Sequence, residues 1–413
     1  MHHPIGVLRT RTWRLAAAAL GVAVAIAPAQ AQAPVQAPIR IGAILELSGR
    51  FVSYGAACKR GIDMATATYG ETVAGRKYEF VFRDVQSEAR GTVSAFIELA
   101  NTNHIDYIIG PIASPIVAAA IPPWQQTKPL WIVPGSSATE LEEKAGQEPN
   151  FFHSYPYAYH YHHSLAAGLV HYLGPGKKLA MIYSDDSYGR THVPAAEKYF
   201  KAAGFQIIAE EALRTNSPDM TPVLTRVARM KPDVLLAIVQ TTDGITLTKQ
   251  AYTMRIKIPY ISALAAVKTP EWQQAVGEAQ QGWIGISTFL PNTEDWPADK
   301  TYPNLFPGTK PWEAKFRERY GRDADDNELI CYSNAIQLLL AMDKAGGGDD
   351  KSKVVAALRD LQVTTPMGPA AFAPSEGTKQ QEFAELLVFQ RQNGQNVILW
   401  PLQAANGKLV PIE

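Results

Sequence analysis

Cysteine is nearly missing from this chain: Cys58 and Cys331 are the only two among 413 residues. Two thiols exclude a disulfide scaffold and any four-thiolate zinc or iron-sulfur site, and they leave open whether the pair is joined. Charge of one sign is missing as well, because 39 Lys plus Arg balance 39 Asp plus Glu. Without a basic excess or stripe, phosphate neutralisation has no basis, so no nucleic-acid partner is expected. Past the first thirty residues, no apolar run approaches the roughly 18 residues that a membrane span requires. No G-x-G-x-x-G or G-x-x-x-x-G-K-S/T occupies a first strand-helix turn, which removes the main support for nucleotide binding. What is present is ordinary: 46% hydrophobic and 19% charged residues, the composition of a globular protein long enough for two or three domains.

The N-terminus has the pattern of an export signal over residues 1–31. Arg9, Arg11 and Arg14 form a positive region, Leu15 to Ala27 an apolar one, and Ala29-Gln30-Ala31 places small residues where a signal peptidase reads them. Cleavage after Ala31 is preferred to cleavage after Ala33, which Pro34 follows. Removing this segment takes away three arginines and no acid, leaving 36 Lys plus Arg against 39 Asp plus Glu. No cysteine lies near the cleavage point for a lipid anchor, so the expectation is a periplasmic, freely diffusing protein.

From Ile39 onward short apolar runs alternate with segments of helical period. Ile39 to Leu45, Tyr78 to Phe82, Tyr107 to Ile109 and Leu130 to Val133 read as strands, separated by helices at Gly55 to Tyr69, Thr92 to Asn101 and Pro115 to Gln126. Gly135 to Pro149 reads as a polar loop. The rhythm restarts with strands at Leu179 to Tyr183, Phe205 to Ala209, Val234 to Val239 and Pro259 to Ser262. Helices follow at Pro194 to Ala203, Met220 to Met230, Gly244 to Met254 and Pro270 to Ala279. Such series predict parallel sheets covered on both faces, hence an α/β protein with two doubly wound lobes and ligands at the carboxyl ends of the strands. The prolines from Pro291 to Pro311 mark a long surface loop, three further helices follow, and Asn393-Gly394 predicts a C-terminal hairpin.

An exported serine hydrolase is one function class to weigh. There is no G-x-S-x-G elbow, and Ser136-Ser137 has no histidine nearby in sequence. Such an enzyme needs a nucleophile-base pair in the cleft, and a turnover assay on esters separates the classes. The bland reading of these serines is helix capping. Their position suggests more. Ser114 and the Ser136-Ser137 pair follow neighbouring candidate strands at helix starts, and Pro115 makes Ser114 a strong N-cap. Helix N-termini with hydroxyls can hold a carboxylate without a formal cation, and neither motif contains a base. His153, His160, His162, His163 and His171 invite a metal reading, but no acid or cysteine joins them, so a packed or solvated helix face is expected and no metal. Tyr155 or Tyr157, at the exit of the first lobe, is placed at the cleft wall.

Ile-Gly-Ala-Ile-Leu-Glu-Leu-Ser-Gly with Tyr54-Gly55, Ile-Gly-Pro-Ile-Ala-Ser, Val-Pro-Gly-Ser-Ser-Ala-Thr-Glu-Leu and Ser-Asp-Asp-Ser-Tyr-Gly, in this order, resemble the substrate-binding proteins of the branched-chain amino acid ABC transporters. The resemblance implies a type I periplasmic binding protein: two lobes joined by a three-crossing hinge, no catalytic residue, no cofactor, a monomer that delivers its ligand to ABC permease subunits. It implies lobes at 38–152 plus 288–366 and at 153–287 plus 367–413, with crossings near His153, Ser287 and Met367. By the same likeness Ser114, Gly135 and Ser137, with Ser136 between, are carboxylate-holding positions, and Tyr54 and Tyr188 are cleft aromatics. Gln240 and Leu264 fall where amino-acid binders hold the ligand's ammonium group. With no acid near Leu264, an ammonium would lack its counter-charge. The expected ligand is therefore a small carboxylate with an apolar or aromatic body, with a branched-chain amino acid or an amide as the alternative. The family's first-lobe disulfide has no counterpart, since Gln86 and Ala113 stand at its positions.

Overall fold

The computed structural model describes residues 1–2 and 36–412, so the apolar run and cleavage site of the expected export signal lie outside the described residues. The strand Ile39–Leu45 buries every residue except Arg40. It pairs in parallel with Arg76–Asp84 on one side and Tyr107–Ile109 on the other, as a strand covered on both faces must. Around it lies an eight-stranded sheet in the order Ala373–Ser375, Thr378–Gln381, Phe151–His153, Leu130–Val133, Tyr107–Ile109, Ile39–Leu45, Arg76–Asp84, Thr72–Val73. A seven-stranded sheet runs Gln395–Trp400, Leu387–Gln392, Trp283–Ser287, Tyr260–Ser262, Val234–Ile238, Lys178–Ser184, Gln206–Leu213. The architecture is the one expected: two doubly wound α/β lobes. The hairpin of Leu387–Gln392 with Gln395–Trp400 turns at Asn393 and Gly394, both at positive φ.

Several local expectations are corrected. Residues 373–381 pair with the first sheet, through Gln381 against His153. The last crossing therefore falls after Gln381, not at Met367, because sheet pairing and not the Met367-Gly368 turn decides which lobe holds the segment. The helix placed at Pro194 begins at Ser187, where Asp186 accepts from Tyr188 N and Gly189 N; Pro194 is tolerated inside it. The polar loop contains a short helix, Thr139–Ala145. The proline-rich stretch is no mere surface loop: Phe306 and Thr309 are buried, and the Asp299 carboxylate accepts from Thr301 N, Tyr302 N and Thr364 N.

Cys58 and Cys331 are joined by a disulfide. It links the helix Val52–Tyr69 to Asp326–Lys344, a helix buried along nearly its whole length. Asp325 caps that helix in a capping box, accepting from Asn327 N and Glu328 N while Glu328 accepts from Asp325 N. The bridge makes the packing of these helices covalent.

Candidate functional site

The carboxyl ends of both sheets' strands meet at one narrow pocket that is partly open to solvent. Of the residues nominated from sequence, Tyr54, Ser114, Gly135, Ser136, Ser137, Tyr155, Tyr188 and Gln240 line it. Leu264 does not. Its backbone adopts a positive φ of 46° and turns the side chain into the second lobe's core, so Ala265 and Lys268 face the pocket instead. Ile112, Ala113, Tyr161 and Asn327 complete the wall.

The serine side is built from two loops pressed together. Ser114 is the first helical residue and not a cap: Ala113 takes the N-cap position, and Ser114 Oγ accepts from Ser136 Oγ at 3.3 Å. Ser136 sits at φ 71°, and Ala138, not a serine, is the N-cap of the short helix. A Cβ on Gly135 would lie 2.5 Å from Ile112 Cγ2, so only glycine allows the approach. His153 Nε2 lies 3.0 Å from Gly135 O and 2.9 Å from Ser136 O, donating to both carbonyls. Its burial pushes its pKa down to about 4, so it is neutral near pH 7.

Behind these loops Glu46 is wholly buried, and its carboxyl accepts from Ile112 N at 3.1 Å and Ala113 N at 2.9 Å. Burial pushes its pKa up to about 7, against the opposing effect of those bonds. A pKa above the unfolded value means that the folded chain holds the proton more tightly. The stability so gained is complete below about pH 4.5 and is lost as the pH rises to about 7. Glu46→Gln, which does not titrate, is expected to gain on the wild type by up to about 3 kcal/mol between pH 4.5 and 8. Urea unfolding at both pH values measures the difference; an unchanged gap would mean an ordinary carboxyl.

The second lobe supplies what the sequence did not offer. Lys268 is buried against Asp326, and its Nζ donates to Tyr155 Oη at 3.0 Å. Burial works against the ammonium, but the Asp326 charge outweighs it and holds the Lys268 pKa above its ordinary value. Lys268, which lies outside both serine motifs, thus brings a base to the pocket, and an acid lies behind it, already paired. Asp326 and Asn327 come from a helix far along the chain, where only the Asp-Asp-Asn-Glu capping pattern marked a helix start. Tyr188 Oη and Asn327 Nδ2 are buried in the wall with no protein partner.

The lobes touch across the pocket. Tyr54 Oη donates to Gln240 Oε1 at 2.9 Å and accepts from Thr241 N and Oγ1. Arg50 pairs with Asp186 at 2.8 Å, and Ser137 Oγ lies 2.6 Å from His192 Nε2. The Tyr54 hydroxyl thus serves the lobe-to-lobe contact. The histidines expected as one face scatter: His160 Nδ1 accepts from Tyr157 N, His162 contacts His192, and His163 and His171 are exposed. Among the described residues no three His, Cys, Asp or Glu side chains are grouped to hold a metal, and no helix is long and apolar enough to cross a membrane.

The sequence profile of the periplasmic binding proteins matches residues 38–394, nearly all of the described chain. The chain belongs to this family. Its curated relatives include the Leu/Ile/Val-binding protein homolog 7 of Brucella suis, 26% identical over 90% of this chain and 94% of the relative. Among solved structures, the periplasmic binding protein is similar to the branched-chain amino acid transporter substrate-binding protein of Streptococcus pneumoniae, in complex with isoleucine. That match has a TM-score of 0.76 at 18% identity, over 91% of this chain and all of that one. An ABC transporter solute-binding protein of Rhodopseudomonas palustris, in complex with benzoate, matches with a TM-score of 0.76 at 18% identity, over 91% and 98%. The fold of this binding protein is that of the type I periplasmic binding proteins.

Proposed function

We infer that the protein is the solute-binding component of an ABC importer, exported to the periplasm as a monomer. In this reading it takes a small carboxylic acid with an apolar or aromatic body between its lobes and hands it to the membrane permease. The observation that carries the reading is the pocket wall. The serine hydroxyls and the start of the Ser114–Thr127 helix face four tyrosines, and Lys268 is the only charged side chain among the described lining residues. The helix start and serines suit an anion. An amino acid's ammonium would face Lys268, with Asp326 already paired. The names of the relatives favour the second reading, a branched-chain amino acid, and the two separate on one measurement. Calorimetry is expected to show benzoate or 4-hydroxybenzoate binding at least about tenfold tighter than leucine, and benzamide much weaker than benzoate. Ser114→Ala with Ser137→Ala should lower carboxylate affinity at least about tenfold. Tighter leucine binding would overturn the aromatic-acid reading, and an unchanged affinity in the double variant would overturn the carboxylate assignment.

A further inference from the structure

Three buried side chains form a polar chain that ends in the pocket. Ser137 Oγ lies 2.6 Å from His192 Nε2, and His192 Nδ1 lies 2.9 Å from His162 Nε2. All three residues are at most 2% exposed, and His162 Nδ1 has no partner. The histidines sit on the neighbouring helices Ala158–Leu173 and Ser187–Ala202 of the second lobe, whereas Ser137 belongs to the first. Tyr188 and Tyr161 pack their rings on His192 at 4.3 Å and 5.3 Å. Burial keeps both imidazoles neutral, so each carries one ring hydrogen.

The hydrogens of this chain can run in only two directions. In one, Ser137 donates to His192, His192 donates to His162, and an N–H at His162 Nδ1 is buried without an acceptor. In the other, His162 Nε2–H donates to His192 Nδ1, His192 Nε2–H donates to Ser137 Oγ, and His162 Nδ1 is a bare nitrogen. Orphaned buried N–H groups are the rarer defect in folded proteins. The second direction also turns the Ser137 hydroxyl hydrogen away from His192, leaving it to be donated to a ligand oxygen. We propose that His162 and His192 are positioning residues whose relay, completed across the closed cleft, fixes Ser137 as a hydrogen-bond donor to the bound carboxylate. The relay rests on the carboxylate reading only for what the donor meets.

Two-bond ¹H–¹⁵N spectra of the full chain, assigned with His162→Phe and His192→Phe, report the tautomers without any ligand. Both rings are expected as Nε2–H; a hydrogen on Nδ1 of either overturns the relay. With benzoate as the probe, His192→Phe should bind at least about tenfold more weakly. His192→Gln, whose amide both donates and accepts, should regain most of that loss. Equal affinity in wild type and His192→Phe would overturn the positioning role. Should benzoate fail to bind the wild type, the aromatic-acid reading falls, and the tautomer spectrum decides the relay by itself.

Discussion

Lys268→Met is expected to lower the unfolding free energy by about 3–5 kcal/mol, the largest single effect on this chain. The reason is what the substitution leaves behind. Asp326 is fully buried, and with the ammonium gone its charge would be met only by Thr288 Oγ1 at 2.9 Å and by longer contacts to Ser287 Oγ and Thr288 N. Two hydroxyls and an amide do not replace a cation at an interior site. Adding Asp326→Asn should recover most of the loss, because removing both charges also removes the desolvation that each imposes. Urea denaturation of the wild type, both single variants and the double variant closes the cycle. Equal losses in Lys268→Met and the double variant would show that packing, not charge, holds the region.

The disulfide is expected to matter almost as much. Cys58 and Cys331 are 273 residues apart, so the bridge removes an unusually large loop from the unfolded ensemble; the chain-entropy argument sets an upper bound of roughly 5.5 kcal/mol, of which disulfides typically deliver about 2–4 kcal/mol. The folded state has little to lose in accommodating it. The two helices already approach so closely that a Cβ on Gly61 would lie 2.2 Å from Glu328 O. Cys58→Ala with Cys331→Ala should shift the urea midpoint down, and dithiothreitol should shift the wild type equally while leaving the double variant unmoved. A midpoint insensitive to reductant would mean that the helices' packing alone sets their stability.

Much of the fold was legible because parallel strands are buried on both faces and appear as uninterrupted apolar runs, as at Ile39–Leu45 and Val234–Ile238. Helix starts were less so. Proline suggested Pro194 where Asp186 caps the helix, and that displacement hid His192, which helical spacing from Tyr188 brings to Ser137. Lys268 was hidden by a turn: one residue with positive φ at Leu264 shifts which side chains face outward, and periodicity cannot anticipate it. Asp326 and Asn327 enter the site from a segment that crosses back into the first lobe, so no local pattern ties them to Ser114. The serine loops were the opposite case, since strand end, glycine and helix start lie together in sequence.

The covalent clamp between the two long helices also divides the pocket into parts with different entropy. Tyr54 rides on one of those helices and Asn327 lies in the first turn of the other, while Arg60 pairs with Glu328 beside the bridge. That wall is therefore set before any ligand arrives, and it contributes almost nothing to the ordering cost of binding. The rest of the wall, with Tyr188, Gln240 and Lys268, comes from the other lobe. Discrimination by shape belongs to the fixed wall.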